Sequence, residues 1–386
     1  MPDSTAQVVI IGAGIMGASI AYHLAARGCT DVLILEQAET EITGSTARSA
    51  AGVRHQFSTE VNVRLSLYGV ERLKHFTEEV GGNAELKQVG YLFLIDDDAT
   101  WAEYQRSVAM QRRLGVRVEL LTPHEAARFI PETRIEGLAG ATYCPDDGYC
   151  DPYGVASGYL KRARELGVRL LRATPVIGIE RDDQRATAVM TPSGRISCEL
   201  VVNAAGSWAG EVGALAGLNI PVRPFRRCIY MTEPFAPIPG PIPLTIDVAS
   251  GFYMRKEQGN VLFGMSNMAE PPSHNVQVDW EWLDTVLECG LARFPILERA
   301  GLAEKLCWAG SYEITPDHMP ILGRNPDLSN YLDASGFSGH GISHASATGL
   351  LIAEELLDGR AHTINIDELR ITRFVHEQLH NELNIV

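Results

Sequence analysis

The sequence predicts an α/β fold in two interleaved parts, a discontinuous domain of parallel strands and helices and a second domain built on a mixed, largely antiparallel sheet. Three observations predict it. The chain opens on strand, glycine turn, helix and strand as QVVII, GAGIMG, ASIAYHLAARG and DVLILE, a complete βαβ unit. Glycine turns follow apolar strands twice more, as NAAGSWAG after LVV and as GFSGHG after YLDAS. The stretches between them are strand-like and joined by turns such as TPSG, which suits antiparallel pairing. On this pattern residues 1–80, 146–218 and 313–386 form the nucleotide domain, and residues 81–145 and 219–312 the substrate domain.

Local signals place the intervening elements. Over residues 59–80 the apolar positions Val61, Leu65, Tyr68, Leu73 and Phe76 recur near helical spacing and predict one long helix, ended by Gly81 and Gly82. LKQVGYLFLI reads as a strand and TWAEYQRSVAMQRRLG as a helix. Thr122-Pro123-His124-Glu125 has the form of a capping box with proline at the first helical position, and Asp151-Pro152 opens a further helix. Residues 220–261 are strand-like but broken at EPFAPIPGPIP, whose prolines lack the N–H a ladder needs. Residues 279–294 and ISHASATGLLIAEELLDG read as helices.

Composition narrows the function. A chain of 386 residues with 45% apolar side chains supports a substantial core and two or three domains. Its 33 basic and 48 acidic residues give a net charge of −15, which disfavours nucleic acid or an anionic membrane as main partner. The cysteines are scattered, with no C-x-x-C pair, so neither a disulfide framework nor a metal site is expected. The N-terminus lacks the features of a signal peptide, and no apolar run approaches the roughly 18 residues of a membrane helix. The expectation is a cytoplasmic protein without a membrane span.

Gly12, Gly14 and Gly17 form G-x-G-x-x-G between a strand and a helix, the Rossmann-type fingerprint. Gly12 permits the tight turn, Gly14 lets backbone approach a pyrophosphate, and Gly17 lets the helix lie close to the strand. Glu36, closing the second strand, can accept both hydroxyls of an adenosine ribose and would repel the 2′-phosphate of NADP. FAD and NAD both remain open on this motif. GSTARSAAGVR, residues 44–54, is small and hydroxyl-bearing, which suits backbone passing close under a flat ring and favours a flavin.

GSTARSAAGVRHQFSTEVNVRLSL, DPYGVASGYL, NAAGSWA, WAGSYEITPDHMPILG and GFSGHG, in this order and spacing, resemble the D-amino acid oxidase superfamily of flavoproteins. Within it the chain is most similar to the β subunits of dye-linked L-proline dehydrogenase and heterotetrameric sarcosine oxidase, essentially over its whole length. The resemblance implies FAD buried between the two domains. It assigns Gly12, Gly14, Ile15 and Met16 to the pyrophosphate, Glu36 to the ribose, Val176 to the adenine, and Gln37 to the cofactor site beside Glu36. Gly44, Ser45, Thr46, Arg48, Ser49, Ala50 and Gly52 would line the flavin and its chain, and Ala205, Gly206 and Trp208 a second glycine turn. Gly310, Gly336, Phe337, Ser338, Gly339, His340, Gly341 and Ile342 would surround the ring, where helix N-terminal N–H groups stabilise negative charge. Gly310 stands where monomeric sarcosine oxidases carry the cysteine that links FAD, and PDDGYCDPYG lacks the histidine that ties FMN in the heterotetrameric enzyme. Non-covalent FAD is therefore expected, with a second flavin (FMN) at a partner interface left open. An α subunit or a homo-oligomer is compatible with the resemblance.

The activity implied is oxidation of the C–N bond of a small amino or imino acid (proline, sarcosine, an opine) by hydride transfer to flavin N5, giving an imine that hydrolyses. A substrate carboxylate needs a fixed cation, preferably a forked guanidinium, and Arg54 and Arg255 are the candidates. Arg255 lies two residues beyond Tyr253 and so on the same strand face. Tyr253 and Tyr312 would supply wall and hydroxyl, and His340 lies in the glycine turn. No His-Asp or Ser-His pairing argues for a strong base, and no metal is called for. Monomeric sarcosine oxidases carry a lysine two residues after the G-H-G turn that assists oxygen reduction, whereas Ser343 stands here. A dye, quinone or partner flavin is the expected oxidant, unless a protonated His340 or His344 substitutes. Two other readings compete. An NAD-dependent dehydrogenase would not explain GSTARS and GFSGHG, whereas a non-catalytic flavoprotein, such as an assembly factor, would share the fold.

Overall fold

The computed structural model describes residues 4–375, 379 and 381–384. Two eight-stranded sheets organise the chain. In the first, Tyr331–Ser335, Gly194–Asn203, Ser4–Ile11, Val32–Leu35 and Arg169–Leu171 pair in parallel in that order. Ile321–Arg324 adds an antiparallel edge, and Gly178–Arg181 and Ala186–Thr191 extend antiparallel from Gly194–Asn203. Both faces are covered, which is why the first strand is a continuous apolar run rather than an alternation. Val8 and Ile10 pack on one side under helices Ile15–Ala26 and Gly341–Leu357, while Val9 and Ile11 pack on the other with Val212 and Leu218. Because the strands are parallel, Ile11, Leu35 and Asn203 end at one edge, and all three glycine turns open there.

The second sheet runs Trp308–Ile314, Arg223–Met231, Asn260–Gly264, Phe252–Glu257, Leu244–Asp247, Tyr91–Ile95, Gly140–Cys144 and Glu119–Leu121. It is antiparallel except where Leu244–Asp247 meets Tyr91–Ile95, so the expected mixed sheet is found. Alternation divides its side chains. Leu92, Leu94, Phe252, Met254 and Phe263 pack with Leu283 and Val286 of helix Trp280–Arg293, while Tyr91, Phe93, Ile246 and Tyr253 form the opposite face.

Local signals hold well. Thr122 and Glu125 make both bonds of the capping box, and Asp151 accepts from Tyr153 N at the next helix start. One expectation needs correction. The helix expected over residues 59–80 breaks at His75 (φ −102, ψ 13) into Glu60–Lys74 and Phe76–Glu79. Strand Trp308–Ile314 pairs with Arg223–Met231 from Trp308 to Ile314, across the position expected for a domain boundary. No helix among the described residues is long and apolar enough to cross a membrane.

Candidate active site

A cavity of about 810 Å³ begins at the edge where the parallel strands end. Gly12 makes its floor possible. Its φ is +108, and a Cβ there would stand 2.4 Å from the Ala204 carbonyl oxygen, so the turns after Ile11 and Asn203 touch backbone to backbone. Gly14, Ile15 and Met16 bring the N-terminus of helix Ile15–Ala26 to the wall, and Ile15 N donates to Thr46 Oγ1 at 3.2 Å. Glu36 is fixed by its neighbours, with Oε2 accepting from Ala13 N at 3.0 Å and Oε1 from Ala38 N at 2.9 Å. Each oxygen keeps a lone pair for a ligand hydroxyl. Gln37, Gly44, Ser45, Thr46, Ser49, Val176, Ala205, Gly206 and Trp208 continue the lining, and Tyr312, Phe337, Gly339, Gly341 and Ile342 close the far end. The shape and donor set fit an extended dinucleotide: an acidic acceptor, a helix N-terminus and a long channel with apolar walls.

Beyond that far end lies a second, smaller cavity of about 50 Å³. Ser49, Tyr312, Gly339 and Ile342 line both spaces. Arg54, Tyr91, Leu244, Tyr253, His340 and Ser343 complete the smaller one, with Ala50, Ala51, Gly52 and Ser338. Four of the residues expected to handle substrate (Arg54, Tyr253, Tyr312 and His340) thus meet at one place.

Arg54 is buried. Its Nη1 donates to Gln56 O at 2.7 Å, its Nη2 to Asn384 O at 2.5 Å, and its guanidinium lies 4.2 Å over the Phe57 ring. No carboxylate pairs with it among the described residues, and N–H groups of the fork are left for a ligand. Burial raises the hydroxyl pKa of Tyr91, Tyr253 and Tyr312, so all three stay protonated. Among the described residues, His340 has no hydrogen-bond partner on either ring nitrogen. Burial first, then the charge of Arg54, holds His340 well below the usual histidine range and takes His344 down to about 3. At neutral pH the smaller cavity therefore holds one cation among neutral donors and acceptors, a field that favours an anion.

Other expected residues lie elsewhere. Arg255 borders neither cavity. It does share a strand face with Tyr253, but two residues along a strand is about 7 Å. There its Nε donates to Ala50 O at 3.1 Å, its Nη1 bonds Lys256 O and the Glu257 carboxylate, and the guanidinium stacks 4.1 Å over Tyr149. Arg255 is a strut between segments, not a free cation. Arg48, Gly310 and Gly336 also border neither cavity. Arg48 spans Thr43 O and Ala309 O, both at 3.2 Å, and ties the flavin-loop candidate to strand Trp308–Ile314.

Some residues escaped the sequence reading. Tyr91 lines the smaller cavity from a strand that was identified, although nothing local tells which of its residues faces inward. Glu313 lines the larger cavity, accepts from Gly336 N at 3.0 Å, and burial pushes its carboxyl up to about 7. Arg227 stacks 5.2 Å over Tyr312, with no carboxylate pairing it among the described residues. The signal was the pair Arg226-Arg227 in one strand, since alternation sends one of two neighbours inward. His55, Cys144 and Asp147 are buried with ligand-type atoms within 4.8 Å of one another. Asp147 there accepts from His55 N at 2.9 Å and meets His55 Nδ1 at 2.6 Å, joining two loops.

Comparison with known proteins agrees with this geometry. Residues 7–355 match the family described as "DAO: FAD dependent oxidoreductase". The chain is 32% identical to FAD-dependent oxidoreductase domain-containing protein 1 of Xenopus laevis, covering 100% of this chain and 86% of the relative. It is 30% identical to mitochondrial sarcosine dehydrogenase of Homo sapiens over 97% of its own length but only 42% of that protein. Among solved structures, L-proline dehydrogenase from P. horikoshii superposes with a TM-score of 0.89 at 32% identity, covering 98% of this chain and 100% of that one. Glycine oxidase from Geobacillus kaustophilus gives 0.82 at 26% identity, covering 96% and 99%. The choice between the two dinucleotides therefore falls on FAD, and the chain belongs to the DAO family of FAD-dependent oxidoreductases.

Proposed function

We propose that this chain is an amino acid dehydrogenase that oxidises the C–N bond of a small amino or imino acid, with proline, sarcosine, other N-methyl amino acids and opines as the candidate class. One observation carries the reading. A small cavity lined by the guanidinium of Arg54, which no carboxylate pairs among the described residues, shares four residues with the end of the cofactor channel. The likeness to proteins named for proline and sarcosine supports it.

FAD, when bound, supplies the two-electron acceptor, taking hydride at N5. Gly12, Gly14, Ile15 and Met16 would hold its pyrophosphate, Glu36 its ribose, and Gly339, Gly341 and Ile342 its ring end. Attachment would be non-covalent. A Cβ at Gly310 would stand 2.8 Å from Arg48 O, so the chain leaves no room for a linking side chain there. Arg54 holds the substrate carboxylate. Its charge also disfavours a protonated amine, so the substrate reacts with its nitrogen lone pair free. Tyr91, Tyr253 and Tyr312 donate from protonated hydroxyls while their rings and Leu244 exclude water. His340, neutral, offers a ring nitrogen to the amine N–H. The imine leaves and hydrolyses in water, so no strong base is needed. Anaerobic addition of an amino-acid panel to the yellow protein tests the reading, together with acid precipitation, which should leave all the flavin in the supernatant. Bleaching by a small amino or imino acid is expected; persistent yellow with every amine would instead mean a non-catalytic flavoprotein.

The oxidant follows from the same electrostatics. Ser343 is neutral and accepts from Arg54 N at 3.1 Å, and His340 and His344 are both held neutral. None of the three supplies the cation that favours superoxide formation. Substrate-reduced protein is thus expected to reoxidise faster with a dye or quinone than with air-saturated buffer. Fast reoxidation in air with stoichiometric peroxide would make it an oxidase.

A further inference from the structure

We infer that the C-terminal segment 381–384 positions the substrate anchor, with Glu382 docking the segment and the Asn384 carbonyl holding Arg54; this rests on the reading of Arg54 as the carboxylate anchor. Glu382 is 1% exposed. Its Oε1 accepts from Ser58 N and Ser58 Oγ, both at 2.7 Å, and from Asn384 N at 3.1 Å. Its Oε2 accepts from Thr59 Oγ1 and Asn62 Nδ2, both at 3.0 Å, and from Thr59 N at 3.3 Å. These donors lie at the start of helix Glu60–Lys74, whose N-cap, Thr59, makes no side-chain cap of its own. An imported carboxylate thus takes N–H groups near a helix start, with the helix dipole in its favour.

What Glu382 anchors is the more telling part. Leu383 N donates to Ser58 Oγ at 2.8 Å, and Asn384 O then accepts from Arg54 Nη2. Asn384 Nδ2 also donates to Gln56 O at 3.3 Å, the same carbonyl that takes Arg54 Nη1. Both outer nitrogens of the guanidinium are therefore fixed, one by the loop after the flavin segment and one by the C-terminal segment. Without the second, the fork keeps its charge but loses its set direction. A bidentate clamp depends on direction, so affinity for carboxylate should fall while the chemistry at saturation does not.

The test uses the full-length holoprotein with acetate, a bare carboxylate, titrated against the flavin absorption. Glu382→Ala is expected to weaken acetate binding about tenfold at unchanged flavin content, with a lowered melting temperature because its buried donors lose their acceptor. For whichever of sarcosine or L-proline reduces the protein, KM should rise similarly with kcat within about twofold. Glu382→Gln, which keeps the shape and one of the two acceptor oxygens, should recover part of the loss. Unchanged acetate binding in Glu382→Ala would overturn the proposal, as would a parallel loss of flavin, stability and affinity that Gln does not rescue. Arg54→Lys, run alongside, separates the two readings. If acetate binding survives that change, the anchor itself is misassigned; if it falls there but not in Glu382→Ala, only the positioning role fails.

Discussion

Glu36→Arg is expected to leave the purified protein colourless. The carboxylate has two tasks that a guanidinium cannot take over. Its oxygens accept the backbone N–H groups of Ala13 and Ala38, which sets the turn after the first strand, and their remaining lone pairs face a cavity shaped for a dinucleotide. Arginine is a donor only, so Ala13 N and Ala38 N lose their partner and the ribose hydroxyls would meet N–H groups. A hydrogen bond to a charged group contributes about 1.5–3 kcal/mol, so losing even one ribose contact weakens FAD by about ten- to a hundredfold before the turn is disturbed. The ratio of flavin to protein absorbance reads this directly. Full occupancy in the variant would show that Glu36 does not hold the ribose.

Arg54→Lys is expected to raise the substrate constant by about ten- to a hundredfold with FAD retained, on the same range of about 1.5–3 kcal/mol for a charge-assisted contact. An ammonium is a point donor and cannot reproduce a fork already oriented by Gln56 O and Asn384 O. Arg255→Lys serves as the contrast. Its guanidinium is spent on Ala50 O, Lys256 O, Glu257 and the Tyr149 ring, so the change should lower thermal stability and leave the substrate constant nearly unmoved. The opposite pattern, with Arg255 controlling affinity and Arg54 silent, would return the anchor to the strand.

These two arginines show where sequence reasoning reached and where it stopped. The wall of the larger cavity was legible because its parts are local. Gly12, Gly14 and Glu36 belong to one βαβ unit, and their spacing alone brings them to one cavity. The substrate end is assembled from residues far apart in sequence. Tyr91, Tyr253 and Tyr312 come from three separate strands of the second sheet, Arg54 from the segment after the short strand Gly52–Val53, and His340 from the glycine turn after Tyr331–Ser335. Alternation correctly put Arg255 on the face of Tyr253, yet it carries no information on where along the strand the cavity lies. The break at His75 was hidden for a similar reason, since the apolar spacing of Leu73 and Phe76 passes through it unchanged. Glu382 was beyond reach altogether. Its donors, Ser58 to Asn62, are brought to it only by tertiary folding.

The central claim is that a small amine-bearing acid, held by Arg54 at the end of the cofactor channel, gives up hydrogen from the carbon beside its nitrogen. The most direct measurement is the rate of anaerobic flavin bleaching by the best substrate of the panel, compared with the same compound deuterated at the carbon beside the nitrogen. A primary isotope effect on bleaching at saturating substrate is predicted, with one flavin reduced per substrate consumed. Bleaching by no amine at all, or bleaching that leaves every deuterium of the substrate in the product, would contradict the account.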